Sequence, residues 1–277
     1  MQNITIQNCS VGITSPTGTS SKTNQLVNSL TAFDFQVIDT PILFNISTSA
    51  GNFVFESINT TNVPSLITQN FQNILTGSSS TTNVLAGWSQ GSIFTDTSTT
   101  PVVTQDAAVH PTRPSSLVGN DGYYFGRSRP LYETATTDEI VSVRSSGARG
   151  DGLTDDTQAL QTILDQYAST KIIFFDHGIY VISSTLNIPL GARLVGEVYS
   201  MILGSGSNFH DSSNPQPVVR VGQTGQSGVV EISDMLFSAR GPAAGAIIIE
   251  WNIAGSSQGS ASMFDSHIII GGFQGSK

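Results

Sequence analysis

Cysteine is nearly absent from this chain, and the single residue Cys9 excludes an internal disulfide. Charge is scarce too: charged residues make up 11% of the 277 residues, and the acidic excess gives a net charge of −9. That balance argues against nucleic acid or an anionic membrane surface as a partner. No apolar run is long enough to span a bilayer, so no membrane partner is expected.

Uncharged polar residues and glycine take the place of charge. Such a composition is common in proteins that handle neutral carbohydrate, although the link is only compositional. Four Asn-x-Ser/Thr sequons, at Asn3, Asn8, Asn45 and Asn59, fit a glycosylated surface, and a Ser/Thr-rich chain also produces them by chance. The residues after Met1 lack the pattern of a signal peptide.

Residues 1–95 show short runs of alternating apolar and polar residues, which predict β-strands. The runs recur roughly every two dozen residues, within the range of solenoid coils, and helix signals are absent. A parallel β-helix is favoured over an antiparallel sandwich, which also has many short strands. The predicted strands are Asn3–Ile13, Leu30–Ile38, Pro41–Ile46, Asn52–Ile58, Val63–Ile67, Phe71–Leu75 and Asn83–Trp88.

Residues 96–140 change character, with Thr, Pro, Tyr and Arg and little periodicity. Disordered linkers rarely carry aromatic residues as close together as Tyr123, Tyr124, Phe125 and Tyr132. This segment is therefore predicted to be an ordered inter-domain linker whose rings pack against a neighbour.

A glycine-rich stretch, Gly147–Gln161, opens the second half of the chain. Gly150 and Gly152 supply the positive φ that other residues reach only at a cost. The carboxylates in the stretch suggest a catalytic cluster, but turn formation and helix capping explain them fully. They are Asp151, Asp155 and Asp156.

The same stretch predicts a short helix. Thr154 or Asp155 is expected to be its N-cap, and Gln158 completes a capping box if Asp155 is the cap. The apolar residues that follow fall on one helical face. They are Ala159, Leu160, Ile163, Leu164 and Tyr167.

Residues 141–277 are otherwise predicted to be strands, with the helix as a cap at their start. Both ends of the chain enter or leave strands without a cap, which predicts a piece of a longer protein. The predicted strands are Lys171–Phe175, Ile179–Ser183, Arg193–Gly196, Met201–Leu203, Val218–Val221, Val229–Ile232, Met235–Ser238, Ala246–Trp251 and Ser266–Ile270.

Four residues outside the glycine-rich stretch are candidate substrate contacts: Gln25, Trp88, Glu250 and Trp251. Glu250 beside Trp251 suggests an acid next to a sugar-stacking ring, although a structural role on a core strand is the stronger interpretation. Trp88 is a second possible stacking ring, with core packing as its alternative.

Specific motifs resemble a known family. The glycine-rich stretch with Phe174–Tyr180, Leu186–Pro189 and Leu194–Glu197 resembles the opening of a pectate-lyase-like right-handed parallel β-helix. Five further motifs are similar to fungal exo-β-1,3-glucanases of glycoside hydrolase family 55. They are Arg113–Leu117, Arg127–Pro130, Gly225–Gly228, Gly245–Asn252 and Met263–His267, with Phe264 where Trp is expected.

The resemblance covers nearly the whole chain and implies two incomplete tandem β-helices joined by a linker. Residues 1–95 would be the C-terminal coils of the first, 96–140 the linker, and 141–277 the cap and first coils of the second. It also implies Cys9 at an interior coil position.

The resemblance further implies inverting hydrolysis of laminarin-like β-1,3-glucan, in which an acid protonates the leaving oxygen and a water attacks from the opposite face. The implied general acid is a Glu beyond Lys277, so this chain alone is expected to be inactive. Ser29, with Gln25 nearby, is the available match for the water-holding Ser. No cofactor or metal is expected, and the full-length protein is expected to be extracellular and monomeric.

Two alternatives stay open. A pectate lyase or polygalacturonase needs clustered Asp residues outside the capping motif, and the sequence shows none. A non-catalytic carbohydrate-binding β-helix module, of the kind found in tailspikes, predicts glucan binding and trimers without hydrolysis.

Overall fold

The computed structural model describes residues 1–15, 29–46, 52–95, 98–106 and 112–271. The chain divides into two compact units, Met1–Phe125 and Gly126–Lys277, and each has its own hydrophobic core. Strands dominate the described part of both units.

The described residues of the first unit form seven strands: β1 (Thr5–Gln7), β2 (Val11–Thr14), β3 (Ser29–Ile38), β4 (Ile42–Ile46), β5 (Asn52–Gln69), β6 (Gln72–Thr95) and β7 (Ser98–Asp106). The first five pair in parallel in the order β1-β3-β5-β4-β2. Thr5, Gln36 and Asn59 therefore lie side by side on successive passes of the chain. Such recurring parallel neighbours are typical of a solenoid.

Two residues with left-handed backbone mark the same bend in neighbouring strands. Asp34 in β3 has a φ of 60° and Ser57 in β5 has a φ of 52°. Asp tolerates this conformation better than most residues with a Cβ. The bend changes which side chains point inward, so Phe55 and Ile58 are both fully buried although they are three positions apart.

The end of the first unit departs from the parallel pattern. β6 pairs antiparallel with β5, and β7 pairs antiparallel with β6. The sequence predicted two short coil strands, Phe71–Leu75 and Asn83–Trp88, and assigned residues 98–106 to the linker. The prediction of two separate coil strands was wrong because alternation does not distinguish parallel from antiparallel pairing, and the Ser/Thr-rich stretches carry little apolar alternation.

Aromatic rings fill the core of the first unit. Phe44 stacks on Phe55 with ring centroids 3.8 Å apart, and Phe55 stacks on Trp88 at 5.5 Å. Phe35 and Phe53 lie against the same stack. Cys9, by contrast, is exposed, so its predicted interior position was wrong.

The described strands of the second unit number from β8 to β20, with one α-helix among them, and each strand that the sequence predicted here falls on an observed one. They are β8 (Ile140–Ser142), β9 (Asp151–Asp155), α1 (Thr157–Tyr167), β10 (Ile172–Phe175), β11 (Ile179–Ile182), β12 (Leu186–Ile188), β13 (Arg193–Gly204), β14 (Gln216–Val221), β15 (Ser227–Gly228), β16 (Val230–Ala239), β17 (Ala246–Trp251), β18 (Ala254–Gly255), β19 (Ala261–Phe264) and β20 (His267–Ile269).

Successive passes of the second unit stack in register, and all their pairs are parallel. One row runs β8-β10-β13-β16-β19, so that Ile172, Arg193 and Glu231 are neighbours. A second joins β9 and β11 to the later halves of β13 and β16 and then to β20, and a third is β12-β14-β17. Curled parallel sheets of this kind fit a parallel β-helix, and the all-β prediction is confirmed.

The helix α1 packs against the core of this unit through its predicted apolar face. Leu160, Ile163 and Leu164 are buried, and Ala159 and Tyr167 lie at the edge of the same cluster. No helix in the described part of the chain is long and apolar enough to cross a membrane.

Candidate functional site

The glycine-rich loop folds around the carboxylate of Asp151. Gly150 and Gly152 have φ of 60° and 75°, and a Cβ on Gly150 would lie 2.8 Å from an aromatic ring, so the loop requires glycine there. Asp151 Oδ1 accepts the N–H groups of Leu153 and Thr154 at 2.9 and 2.7 Å, and Oδ2 accepts the Thr154 hydroxyl at 2.8 Å. All of these contacts are local.

The other two carboxylates of the loop are engaged as well. Asp156 is 1% exposed, and its oxygens accept the backbone N–H groups of Arg149 at 2.6 Å and Gly150 at 2.9 Å. Asp155 Oδ1 accepts the N–H of Thr157, the first residue of α1, at 3.0 Å. The three carboxylates therefore order the loop and the helix start, as the structural interpretation predicted.

The predicted cap was wrong in detail. The N-cap of α1 is Asp156, and its carboxylate turns back to the loop instead of capping the helix. Gln158 donates to Thr162 Oγ1 at 3.3 Å, so no capping box forms with Asp155. The hydroxyl of Thr154 donates to Asp151 and does not cap the helix. Both oxygens of the Asp156 carboxylate accept hydrogen bonds from loop amides, and a helical sequence pattern does not show such bonds.

Hydrogen bonds in the loop displace two pKa values downward. Backbone N–H donation, chiefly from Thr154, lowers the pKa of Asp151 to about 2. Burial by itself raises the pKa of Asp155, but hydrogen bonds from Ser183 and Thr157 outweigh it and lower the pKa. Both groups thus favour the ionised form in the folded protein.

Substitution Asp151→Asn is expected to weaken the acid sensitivity of the second unit. A folded pKa below the unfolded value of about 4 means that the ionised group contributes stability above pH 4, and that this contribution is lost as pH falls towards 2. Thermal unfolding from pH 7 to pH 2 should therefore show a smaller loss of Tm in the variant than in the unmodified chain. Equal losses in both chains would contradict the assignment.

Glu250 forms an ion pair with Arg220 on the sheet of β12, β14 and β17. Arg220 Nε donates to its Oε1 at 2.9 Å and Asn252 Nδ2 donates to the same oxygen at 2.6 Å. These bonds, that of Arg220 first, lower the pKa of Glu250. A general acid needs a raised pKa, so this environment suits a structural or wall role, the stronger of the two sequence interpretations.

The aromatic candidates lie in cores. Trp251 shares a row with the buried Ile188 and Val221, and strand alternation places its ring on the face opposite to Glu250. Trp88 is 4% exposed and stacked on Phe55. The structure thus places neither ring beside Glu250 as a paired acid and stacking platform, because residues adjacent in a strand point to opposite faces.

Ser29, the predicted water-holding residue, is exposed at the start of β3, where it pairs with Asn52 of β5. Gln25 lies outside the described residues. The roles of Ser29 and Gln25 at a substrate site stay predictions.

A buried charge cluster that the sequence analysis missed lies in the first unit. The guanidinium of Arg113 donates from Nη1 to Asp34 Oδ1 at 2.6 Å and from Nε to Glu56 Oε1 at 2.9 Å. The side chain of Asp34 is fully buried, and its Oδ2 accepts the N–H of Tyr124 at 2.9 Å. Burial lowers the pKa of Arg113, but both carboxylates outweigh it and raise the pKa.

The second unit holds a comparable cluster around Glu231, which is 7% exposed. Its two oxygens accept a guanidinium N–H of Arg127 and, at 2.8 Å, the hydroxyl of Tyr132. Burial and the bond to Glu231 raise the pKa of Tyr132. Only the Arg-x-Arg-Pro motif and the aromatic density signalled these contacts in the sequence.

The described carboxylates therefore act in loops and ion pairs. Every one with a displaced pKa is displaced downward. Among the described residues no group of three or more His, Cys, Asp or Glu side chains is arranged to hold a metal ion. The Asp cluster of the glycine-rich loop in particular is saturated by its own amides and hydroxyls.

Known proteins similar to this chain agree with the fold. Residues 140–260 match the family described as rhamnogalacturonase A/epimerase, pectate lyase-like. A glucan 1,3-beta-glucosidase of Cochliobolus carbonum is 41% identical over 229 residues, which are 82% of this chain and 28% of that protein. A probable glucan endo-1,3-beta-glucosidase of Arthroderma benhamiae is 42% identical over 173 residues, 62% of this chain and 20% of that protein.

A third relative matches along the whole chain. The non-secreted LysM effector LysM19 of Penicillium expansum is 36% identical over 295 residues, 100% of this chain and 23% of that protein. The chain spans about a quarter of the length of the curated relatives that it matches.

The parallel coils and the match over residues 140–260 show that this part of the chain is pectate-lyase-like and of the β-helix kind. More particularly, the chain is a relative of the fungal β-1,3-glucanases, and the resemblance to glycoside hydrolase family 55 is confirmed.

Proposed function

We propose that the protein to which this chain belongs is an inverting exo-β-1,3-glucanase of the glucan 1,3-β-glucosidase type, acting on laminarin-like glucan as a monomer. The observation that carries the proposal is the 41% identity to a glucan 1,3-beta-glucosidase over 82% of the chain. A pectate lyase or polygalacturonase is not favoured, because the relatives of Cochliobolus carbonum and Arthroderma benhamiae bear glucanase names and the Asp cluster orders a loop and a helix start.

We further propose that the two units are parts of tandem β-helices. Residues 1–95 are coils of the first β-helix, residues 96–140 are the linker, and residues 141–277 are the cap and first coils of the second β-helix. Parallel register in both units supports this. The strand β7, which pairs with β6, would then lie at the start of the linker.

The helix α1 is proposed as the cap of the second β-helix. Its residue Gln161 donates to the carbonyl of Asn187 at 3.1 Å and accepts the N–H of Asn187 at 2.9 Å. These bonds occupy backbone groups of β12 that would otherwise be open to another strand.

The general acid is proposed to lie outside this chain, in a later coil of the parent protein. The downward pKa displacements of Asp151, Asp155 and Glu250 support this, since an acid that protonates a leaving oxygen near neutral pH needs an upward one. Ser29 stays proposed as a water-holding residue, Gln25 as a substrate contact, and Glu250 as part of a subsite wall.

The function is tested with the parent protein on laminarin, and with polygalacturonate as the control polymer. Proton NMR of the first product should show α-glucose, because inversion at a β-linkage gives the α-anomer. The 277-residue chain alone should release no glucose. β-Glucose as the first product, or activity on polygalacturonate only, would overturn the proposed function. Glucose release by the 277-residue chain alone would overturn the proposal that the general acid lies outside it.

An extracellular, glycosylated parent protein is also proposed, and the structure separates the sequons. Asn3 and Asn8 are exposed, whereas Asn45 is 4% exposed and its Oδ1 accepts from Thr68 and Phe71. Secretory expression in yeast should add glycans at Asn3 or Asn8 and none at Asn45. Peptide mass spectrometry after deglycosylation measures this directly.

A further inference from the structure

A cleft of about 440 Å³ opens in the first unit beside the bend of β5. Its walls include Glu56 and Ser57 from β5, Val84 and Ala86 from β6, and Thr112. The volume lies within the range of pockets that hold small organic ligands. None of the catalytic roles proposed above uses these residues.

The polar atoms of the cleft are not all satisfied within the protein. Glu56 Oε1 accepts from Arg113, while Oε2 has no hydrogen-bond partner among the described residues. The hydroxyls of Ser57 and Thr112 have none in the described part of the chain either. A partly buried carboxylate oxygen that lines the same cleft as two hydroxyls without a partner among the described residues is an acceptor site for a ligand that donates hydrogen bonds.

Another part of the lining is apolar. Val84 is 56% exposed and Ala86 is also exposed, although both lie on a strand whose neighbour Leu85 is buried. A ligand that fits must therefore offer hydroxyl donors on one side and C–H groups on the other. Sugar rings have this division between their hydroxyl groups and their ring faces.

Charge narrows the class of ligand further. Arg113 directs two of its nitrogens to Asp34 and Glu56, and its remaining Nη2 is inaccessible, so an anion has no free cation to bind. A Ca²⁺ ion prefers six to eight oxygen ligands, and the cleft offers one free carboxylate oxygen. Neutral polyols match this arrangement of hydrogen-bond acceptors, hydroxyls and apolar surface.

We propose that this cleft, the Glu56 cleft, is a saccharide subsite that binds a short stretch of neutral β-1,3-glucan; the identity of the sugar rests on the proposed function. Glu56 Oε2 accepts from sugar hydroxyls, Ser57 and Thr112 exchange hydrogen bonds with them, and Val84 packs against the ring. The subsite contributes binding and takes no part in bond cleavage.

The test is an NMR titration of the 277-residue chain with laminaritriose. Binding should be saturable, with a dissociation constant on the order of 1 mM. Glu56→Gln should weaken it about tenfold because a charge-assisted hydrogen bond becomes a neutral one. Val84→Arg should abolish it by filling the cleft, whereas Val54→Arg, at a residue 43% exposed on β5, should leave it unchanged.

The outcomes separate this subsite from the proposed activity. Val84 is a surface residue, so the Val84→Arg result stands even if Glu56→Gln lowers Tm through its bond to Arg113. Absence of laminaritriose binding, or binding unaffected by Val84→Arg, overturns the subsite whether or not the parent protein hydrolyses laminarin. Equal binding of cellotriose, or displacement of the sugar by CaCl₂, overturns the assignment to β-1,3-glucan. If the chain binds laminaritriose and the parent protein does not hydrolyse laminarin, the proposed activity is overturned and the subsite stands.

Discussion

Replacing Arg113 with alanine is expected to lower the free energy of unfolding of the first unit by about 3–5 kcal/mol. The side chain of Asp34 is fully buried and relies on Arg113 at 2.6 Å for a counter-charge. Glu56, 15% exposed, loses its partner in the same substitution. Two carboxylates without a cation would then lie in an apolar environment, and leaving a buried charge unpaired is far more destabilising than removing both partners.

Urea unfolding measures this effect, because each unit contains one of the two tryptophans. In a Trp251→Phe background, the fluorescence of Trp88 reports the core of the first unit alone. Arg220→Ala, followed by Trp251 fluorescence in a Trp88→Phe background, is the control in the second unit, since its ion pair with Glu250 is about a third exposed and should contribute less than about 1 kcal/mol. A loss for Arg113→Ala no larger than that of the control would show that the cluster is a surface pair in solution.

Periodicity predicted most strands because each pass of a parallel coil buries alternate residues. The pattern is local, so Ile172–Phe175 and Ala246–Trp251 were visible without knowledge of the fold. The face of α1 was equally visible, since Leu160 and Leu164 follow helical spacing. Direction of pairing is not local, and for that reason the antiparallel hairpin of β5 and β6 escaped prediction.

The charge clusters were beyond prediction for the same physical reason. Arg113 and Asp34 are 79 positions apart, and the residues around either one do not predict a contact with the other. The family resemblance marked the Arg113 and Arg127 motifs without explaining them. The structure supplies the explanation, since each arginine neutralises a buried carboxylate of its own unit.

The glycine-rich loop gives the second large effect, at Asp156. Asp156→Ala should lower the free energy of unfolding of the second unit by about 2–4 kcal/mol, because the part-buried N–H of Arg149 and the buried N–H of Gly150 lose their acceptors together. Their own geometry offers no substitute, since Gly150 is held at a φ of 60°. Asp156→Asn keeps one carbonyl oxygen and should lose about half as much.

Urea unfolding followed by Trp251 fluorescence in a Trp88→Phe background isolates this unit. Asp165→Ala is the control, because Asp165 is exposed on the same helix and accepts only from the side chain of Gln161 at 2.8 Å. If the loop amides alone are responsible, hydrogen exchange at Arg149 and Gly150 should speed up in Asp156→Ala under native conditions and stay slow in Asp165→Ala. Slow exchange in both variants would mean that the amides find other acceptors, and the carboxylate would then be dispensable to the start of the second coil stack.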